Sequence, residues 1–179
     1  ALSAHKHNTK NIEKIKKDLK QVLSERRYEH SIGVMNMAEE LAKIYKVDME
    51  TAKIAGLLHD NAKEMTKEEM LKYVEENNIE ITEFEKLNVP ILHEKIGADI
   101  AKKKYGVSEQ IAKAIEYHTT TSPKMDTLAK IIYVSDKVEL TRKSEKFDIE
   151  SERKLATIDL DKAVLLIINN TTKYLIDNN

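Results

Sequence analysis

The sequence has no cysteine, no tryptophan, two prolines and four glycines in 179 residues. Each shortage removes an option. Without cysteine there are no disulfides and no thiolate metal sites, which fits a reducing compartment. With so few turn formers, turn-dense all-β architectures are disfavoured and long helices are favoured. Aromatics make up 5% of the chain, so core volume must come from Ile, Leu, Val, Ala and Met, which pack readily between helices. No apolar run approaches the roughly 20 residues of a membrane span; the strongest, Ala163 to Ile168, is far too short. Ala1 to Lys10 is polar and lacks the apolar stretch of a signal peptide, so a cytoplasmic protein is expected.

Charge of one sign is lacking too. The formal net charge is −1, and acidic and basic residues are interspersed, which argues against a nucleic-acid-binding surface. The basic run Lys14 to Lys20 interleaves with Ile15 and Leu19 at helical spacing and reads as the wet face of a helix.

Helical periodicity runs throughout. Ile12, Ile15, Leu19, Val22 and Leu23 recur after a polar Thr9–Asn11 start. Ser24 is a candidate N-cap for a helix to about Lys46 with Ile32, Met35, Leu41, Ala42 and Tyr45 inward, and Asp48 for one carrying Ile54, Ala55, Leu57 and Leu58. Thr66 with Glu69, and Thr82 with Glu85, have capping-box spacing. A helix from about Ile91 to Tyr105 is stopped by Gly106, and Ser108 caps the next as far as His118. Asp126 to about Thr141 is helical and strongly apolar, Lys143 to Glu150 is a charged loop, and a final helix over roughly 159–175 turns Leu160, Val164, Leu165 and Ile168 inward. The expectation is an all-α, compact helical bundle, one domain over 1–179.

Chemistry is carried by a few polar residues placed where the pattern demands core. His5 and His7 lie in the polar N-terminal stretch and read as solvated bystanders. His59-Asp60 follows the apolar Ala55-Gly56-Leu57-Leu58, and an unpaired buried carboxylate is costly unless a metal or partner compensates it. Adjacent helical residues point about 100° apart. The doublet therefore suits either an Asp60 that bridges two ions or a helix end that bends around one ion. Asp136 likewise interrupts Ile131-Ile132-Tyr133-Val134; it is either a ligand or an acid paired with Lys137 or Arg142. Lys63, a turn beyond Asp60, can face the same pocket and hold phosphate or be a surface lysine. Arg27 and Arg142 divide in the same way between phosphate and surface ion pairs. A His/Asp-only donor set suits iron, manganese, zinc or magnesium.

His30, the His59-Asp60 doublet and Asp136 reproduce the H…HD…D signature of the HD superfamily of metal-dependent phosphohydrolases. The surrounding stretches Arg27-Tyr28-Glu29-His30-Ser31, Gly56 to Lys63, Leu92-His93, Tyr117-His118-Thr119 and Tyr133 to Glu139 resemble the YqeK family, the HD-type symmetrical bis(5'-nucleosyl)-tetraphosphatases of bacteria. The likeness covers about 22–142. Where that family usually reads Glu-Pro-x-Arg, Glu139-Leu140-Thr141-Arg142 keeps the arginine but not the proline. The resemblance implies an HD-domain bundle with a dinuclear centre and iron as the first metal. His30, His59, Asp60 and Asp136 are then ligands, and His93 and His118 complete a second metal site or bind substrate phosphate. Asp60 and Lys63 are the catalytic candidates, with Lys63, Arg27 and Arg142 toward the substrate. The implied substrate is diadenosine tetraphosphate, cut to two ADP, and the implied assembly includes a homodimer among its options. Alternatives are HD hydrolysis of mono-, tri- or cyclic nucleotides, or a non-catalytic module that binds metal and nucleotide.

Overall fold

The computed structural model describes the backbone of residues 2–178 and the side chains of 11–178. Among these residues there are ten α-helices and no strand: α1 Leu2–Val22, α2 Glu25–Tyr45, α3 Met49–Leu58, α4 Lys67–Glu76, α5 Glu83–Leu87, α6 His93–Tyr105, α7 Glu109–Glu116, α8 Thr127–Val138, α9 Ile149–Ile158 and α10 Leu160–Asp177. A 3₁₀ turn, Val89–Leu92, joins α5 to α6. None of the described helices is long and apolar enough to cross a membrane.

Local chemistry sets most boundaries. The side chains of Ser24, Asp48, Ser108 and Asp126 each accept a backbone N–H three residues on, satisfying a donor that the first turn leaves orphaned. Both expected capping boxes form, Thr66 with Glu69 and Thr82 with Glu85. Gly106 ends α6 at φ 63°, a left-handed conformation that costs glycine no Cβ clash.

Three features depart from the sequence pattern or are not marked by it. The first helix begins at Leu2 and not after Thr9–Asn11. A helix, α9, occupies the interval before the last one; the Asp148 carboxylate caps it by accepting from the Ser151 N–H and hydroxyl. Val22 and Leu165 are each 58% exposed, and Ala163 and Ile167 take the inward positions on α10.

Two apolar clusters form. The larger gathers residues from Ile12 on α1 to Ile167 on α10, with α2, α3, α7 and α8 at its centre. The smaller, Ala62, Met70, Val74, Leu92 and Ile96, seats α4 against α6. The α2–α3 crossing is close because Gly56 has no side chain: a Cβ there would lie 3.0 Å from Met35 Cα and 3.1 Å from both Met35 N and Val34 O. That crossing sets His30 of α2 opposite the end of α3. Backbone atoms cannot give way cheaply, so Gly56→Ala should destabilise the fold by about 1–3 kcal/mol, read as a lower urea midpoint with an unchanged slope.

Candidate metal centre

α3 stops at Leu58, and 59–64 form successive turns in which the Lys63 N–H donates to the Asp60 carbonyl at 3.0 Å. The His59-Asp60 doublet therefore lies at a helix C-terminus, whose unsatisfied carbonyls favour positive charge. His59 is completely buried and Asp60 nearly so.

Four imidazoles line up across the bundle. Successive ring centroids of His30, His59, His118 and His93 lie 5.1, 5.1 and 5.0 Å apart, each pair edge to face. Three rings are held in the same way: the Nδ1–H of His59, His93 and His118 donates to the carbonyl three residues earlier, Gly56, Pro90 and Ile115, each at 2.7 Å. A carbonyl can only accept, so Nδ1 carries a proton and Nε2 is the nitrogen turned inward. The fourth ring, His30, sets Nδ1 3.6 Å from the buried Glu139 carboxylate. The inward Nε2 atoms approach closely, His30 to His59 at 3.3 Å and His93 to His118 at 3.1 Å. Lone pairs this close repel unless a proton or a cation lies between them.

Asp60 stands at the middle. Its Oδ2 is 3.4 Å from His59 Nε2 and 3.9 Å from His30 Nε2, while its Oδ1 is 3.2 Å from His118 Nε2 and 3.7 Å from His93 Nε2. Asp136 Oδ1 closes the first side, 2.9 Å from His30 and 3.3 Å from His59. Two donor groups result, His30, His59, Asp60 and Asp136, and Asp60, His93 and His118; within each, the donor atoms all lie within 4.8 Å of one another. This all-nitrogen-and-oxygen set, with its outer ring nitrogens already anchored, fits a divalent cation.

The remaining candidates divide. Arg27 Nη1 donates to Asp60 Oδ2 at 3.1 Å. Arg142 donates from Nε to the Asp136 carbonyl at 2.9 Å and from Nη2 to its carboxylate at 3.3 Å, and Lys137 Nζ pairs with the same carboxylate at 2.9 Å. Asp136 therefore makes both of the ion pairs considered for it and also meets the histidines. Lys63 makes no side-chain hydrogen bond or ion pair among the described residues, and its charge acts on His93. His5 and His7 lie outside the described side chains.

The turn after α8 forms without the family's proline. The Glu139 carboxylate accepts from the N–H and hydroxyl of Thr141, and the Arg142 N–H donates to the Glu139 carbonyl at 3.0 Å. Gly33 leaves room for that carboxylate; a Cβ there would fall 1.7 Å from Glu139 Oε2. The role of Glu139 escaped the sequence reading, although an acid closing a buried helix was a usable signal. Glu94 escaped it too, with no comparable signal: buried beside His93, it accepts the Thr119 and Thr120 N–H groups at 3.0 and 3.1 Å and so holds the segment after His118.

Electrostatics follow from burial and pairing. Burial alone would discharge His59, but the Asp60 charge and the Asp136 contact outweigh it and hold the imidazolium up to about 10. Burial likewise opposes both carboxylates, yet His59 and His118 hold Asp60, and Lys137, His30 and His59 hold Asp136, well below the usual carboxylate range. His93 goes the other way, to about 4, through burial and the neighbouring His118 and Lys63 charges. In the metal-free centre protons thus compensate the acids. Burial and pairing leave the two Asp ionised and His93 neutral at neutral pH and keep His59 protonated, so His59 must give up a proton before its Nε2 can bind a metal. The proton on His59 by itself should make apparent metal affinity rise about tenfold per pH unit while pH stays below 10. Titration calorimetry in buffers of different ionisation enthalpy should register proton release at pH 7; heats independent of the buffer would contradict it.

Residues 27–141 match the model of the HD domain. The chain is 38% identical over 162 residues to the symmetrical bis(5'-nucleosyl)-tetraphosphatase of Bacillus subtilis, covering 90% of this chain and 86% of the relative. With the Staphylococcus aureus protein of the same name the identity is 33% over 167 residues, 93% and 86% of the two chains. The crystal structure of a predicted HD superfamily hydrolase involved in NAD metabolism from Clostridium acetobutylicum superposes with a TM-score of 0.87 at 41% identity, covering 92% of this chain and 87% of that one. The histidines and aspartates thus converge from α2, α6, α8 and the turns after α3 and α7, and the chain belongs to the HD-domain superfamily and, within it, to the family of the symmetrical bis(5'-nucleosyl)-tetraphosphatases.

Proposed function

We propose that this chain is a metal-dependent phosphohydrolase that cleaves diadenosine tetraphosphate symmetrically into two ADP. The observation that carries the reading is the pair of donor groups sharing Asp60, in a chain whose relatives over most of its length bear that activity in their names. His30, His59, Asp60 and Asp136 would hold one cation, and Asp60, His93 and His118 a second, with Asp60 bridging. Family resemblance puts iron first, ahead of manganese, zinc and magnesium. The whole chain, 1–179, would serve as one HD-type domain; the larger apolar cluster, which joins α1 to α10, supports this.

Cations held by these residues would supply Lewis acidity toward phosphoryl oxygens and water. The protein's own residues do the rest. A cavity of about 640 Å³ opens beside His30, and Arg26, Arg27, Arg142 and Lys143 line it together with Glu29, Glu64 and Glu139. Its cations match a polyphosphate, whose oxygens accept charge-assisted hydrogen bonds. Arg27 and Arg142 also tether Asp60 and Asp136, so each can face phosphate from a fixed position. Lys63 approaches from the His93 side with its ammonium unpaired, as a point charge for a phosphate further along. Burial of all four imidazoles keeps bulk water from competing for these contacts. Water then adds across the central P–O–P bridge: its oxygen joins one ADP, and the bridge oxygen leaves with the other.

The product set tests this reading. Hydrolysis of diadenosine tetraphosphate in ¹⁸O water by the metal-loaded protein should give ADP alone, with the label in ADP. AMP plus ATP would refute symmetrical cleavage, and turnover of mononucleotides without any dinucleotide would refute the substrate. Lys63→Met should raise KM about tenfold, the loss of one charge-assisted contact to phosphate, while bound metal per chain stays constant. Loss of metal in that variant would move Lys63 out of substrate binding and into support of the centre.

A further inference from the structure

Beside the cation-lined cavity lies a second one that the phosphate contacts leave unused. It has a volume of about 600 Å³ and is lined along α2 by Tyr28, Ile32 and Met37, by Leu140 beyond α8, and by the polar Asn36 and Glu40 further along α2 from His30. Glu29 and Thr141 line both cavities, so the two adjoin. Their chemistry differs sharply. Four Lys and Arg side chains line the cavity beside His30, and none lines this one.

Leu140 gives the contrast a direction. It is 71% exposed, held at the rim by the turn in which Glu139 and Thr141 are hydrogen-bonded and Arg142 is drawn to Asp136. An isolated exposed leucine needs no explanation. This one, however, forms a wall of an apolar groove that adjoins a cationic basin next to the candidate metal centre. Spacing agrees as well: along α2, Asn36 lies about 9 Å and Glu40 about 15 Å from His30 at the helical rise per residue. That is the scale of a ribose and base extending from a phosphate at the centre.

We infer that this groove is a nucleoside subsite, seating one adenosine half of the substrate. It rests on the hydrolase reading above and adds where a nucleoside goes. The ribose would pass Glu29 and Thr141, where the two cavities meet. The base would lie against Ile32 and Leu140, since a purine presents flat apolar faces. Its edge, which carries an amino donor, would meet the Asn36 and Glu40 acceptors. A ligand of this shape needs what the groove offers: apolar walls, a few polar groups at one end, and a cationic neighbour for the phosphates.

The sequence itself makes a direct test available, because it contains no tryptophan. Leu140→Trp places a single fluorophore at the rim, at a position that contributes nothing to the core. Titrating the metal-loaded variant with ADP should shift or quench its emission saturably, whereas inorganic pyrophosphate should leave it unchanged. Equal responses to ADP and pyrophosphate, or no response to either, would overturn the subsite. So would an emission shift that follows protein concentration and ignores ADP, which would mean that a second copy fills the groove. Asn36→Ala should raise KM for diadenosine tetraphosphate about tenfold, the worth of one hydrogen bond to the base, and an unchanged KM counts against the proposal. The two readings fail separately. Dinucleotide turnover to ADP with a silent indole reporter in the Leu140→Trp variant removes the groove and keeps the hydrolase; an ADP-specific shift without dinucleotide turnover keeps the groove and removes the hydrolase.

Discussion

Asp60, Asp136 and four imidazoles are buried together in a largely aliphatic bundle, and their mutual compensation is the constraint that organises the rest of the molecule. Any one of these charges left alone would cost several kcal/mol. They are tolerated because each has a partner. Three histidines give their Nδ1 protons to backbone carbonyls three residues back. Asp136 is drawn on by His30, His59, Lys137 and Arg142, and Asp60 by Arg27 and the histidines on both of its sides. The inward Nε2 atoms and carboxylate oxygens that remain are held close together by these contacts, and a proton or a cation is the natural group to sit between them. A cation entering this centre would have to displace the proton that His59 holds, so metal loading and proton release would be two sides of one equilibrium.

The scaffold serves this arrangement through close approaches that only small residues permit. Gly56 lets α3 press against the backbone of α2, and Gly33 makes room for the Glu139 carboxylate behind His30. Glu139 then does two jobs, facing His30 with one oxygen and closing the turn that carries Arg142 back to Asp136. The family's proline would impose such a turn through its fixed φ; here hydrogen bonds from Thr141 and Arg142 impose it. Leu140 is thereby free to face outward, and an apolar groove comes to adjoin a cationic cavity.

Charge around the centre is graded. The acids and histidines lie buried together, with Arg26, Arg27, Arg142 and Lys143 in the cavity outside. A near-neutral chain thus presents a locally positive approach to an anionic ligand without a basic surface overall. Lys63 completes the gradient from the opposite side.

The sequence by itself determined most of the helices and the buried histidines and aspartates of the centre, though not the buried Glu94 and Glu139 beside it. Caps such as Ser24, Asp48, Thr66 and Thr82 act over three residues, so they are legible in one dimension, and an acid or histidine inside an apolar run signals burial wherever the chain goes. Where that local signal was thin, as for α9, the reading failed: only the Asp148–Ser151 pair marks its start. Tertiary structure alone decided which oxygen of Asp60 faces which histidine, that Arg27 reaches Asp60, and that Glu139 stands behind His30. Those contacts join residues separated by 33 and 106 positions, as in Arg27–Asp60 and His30–Asp136, and a pairing at that distance depends on how helices cross. The crossing is set by side-chain packing across the whole core, such as the single missing Cβ of Gly56, which no window of sequence contains.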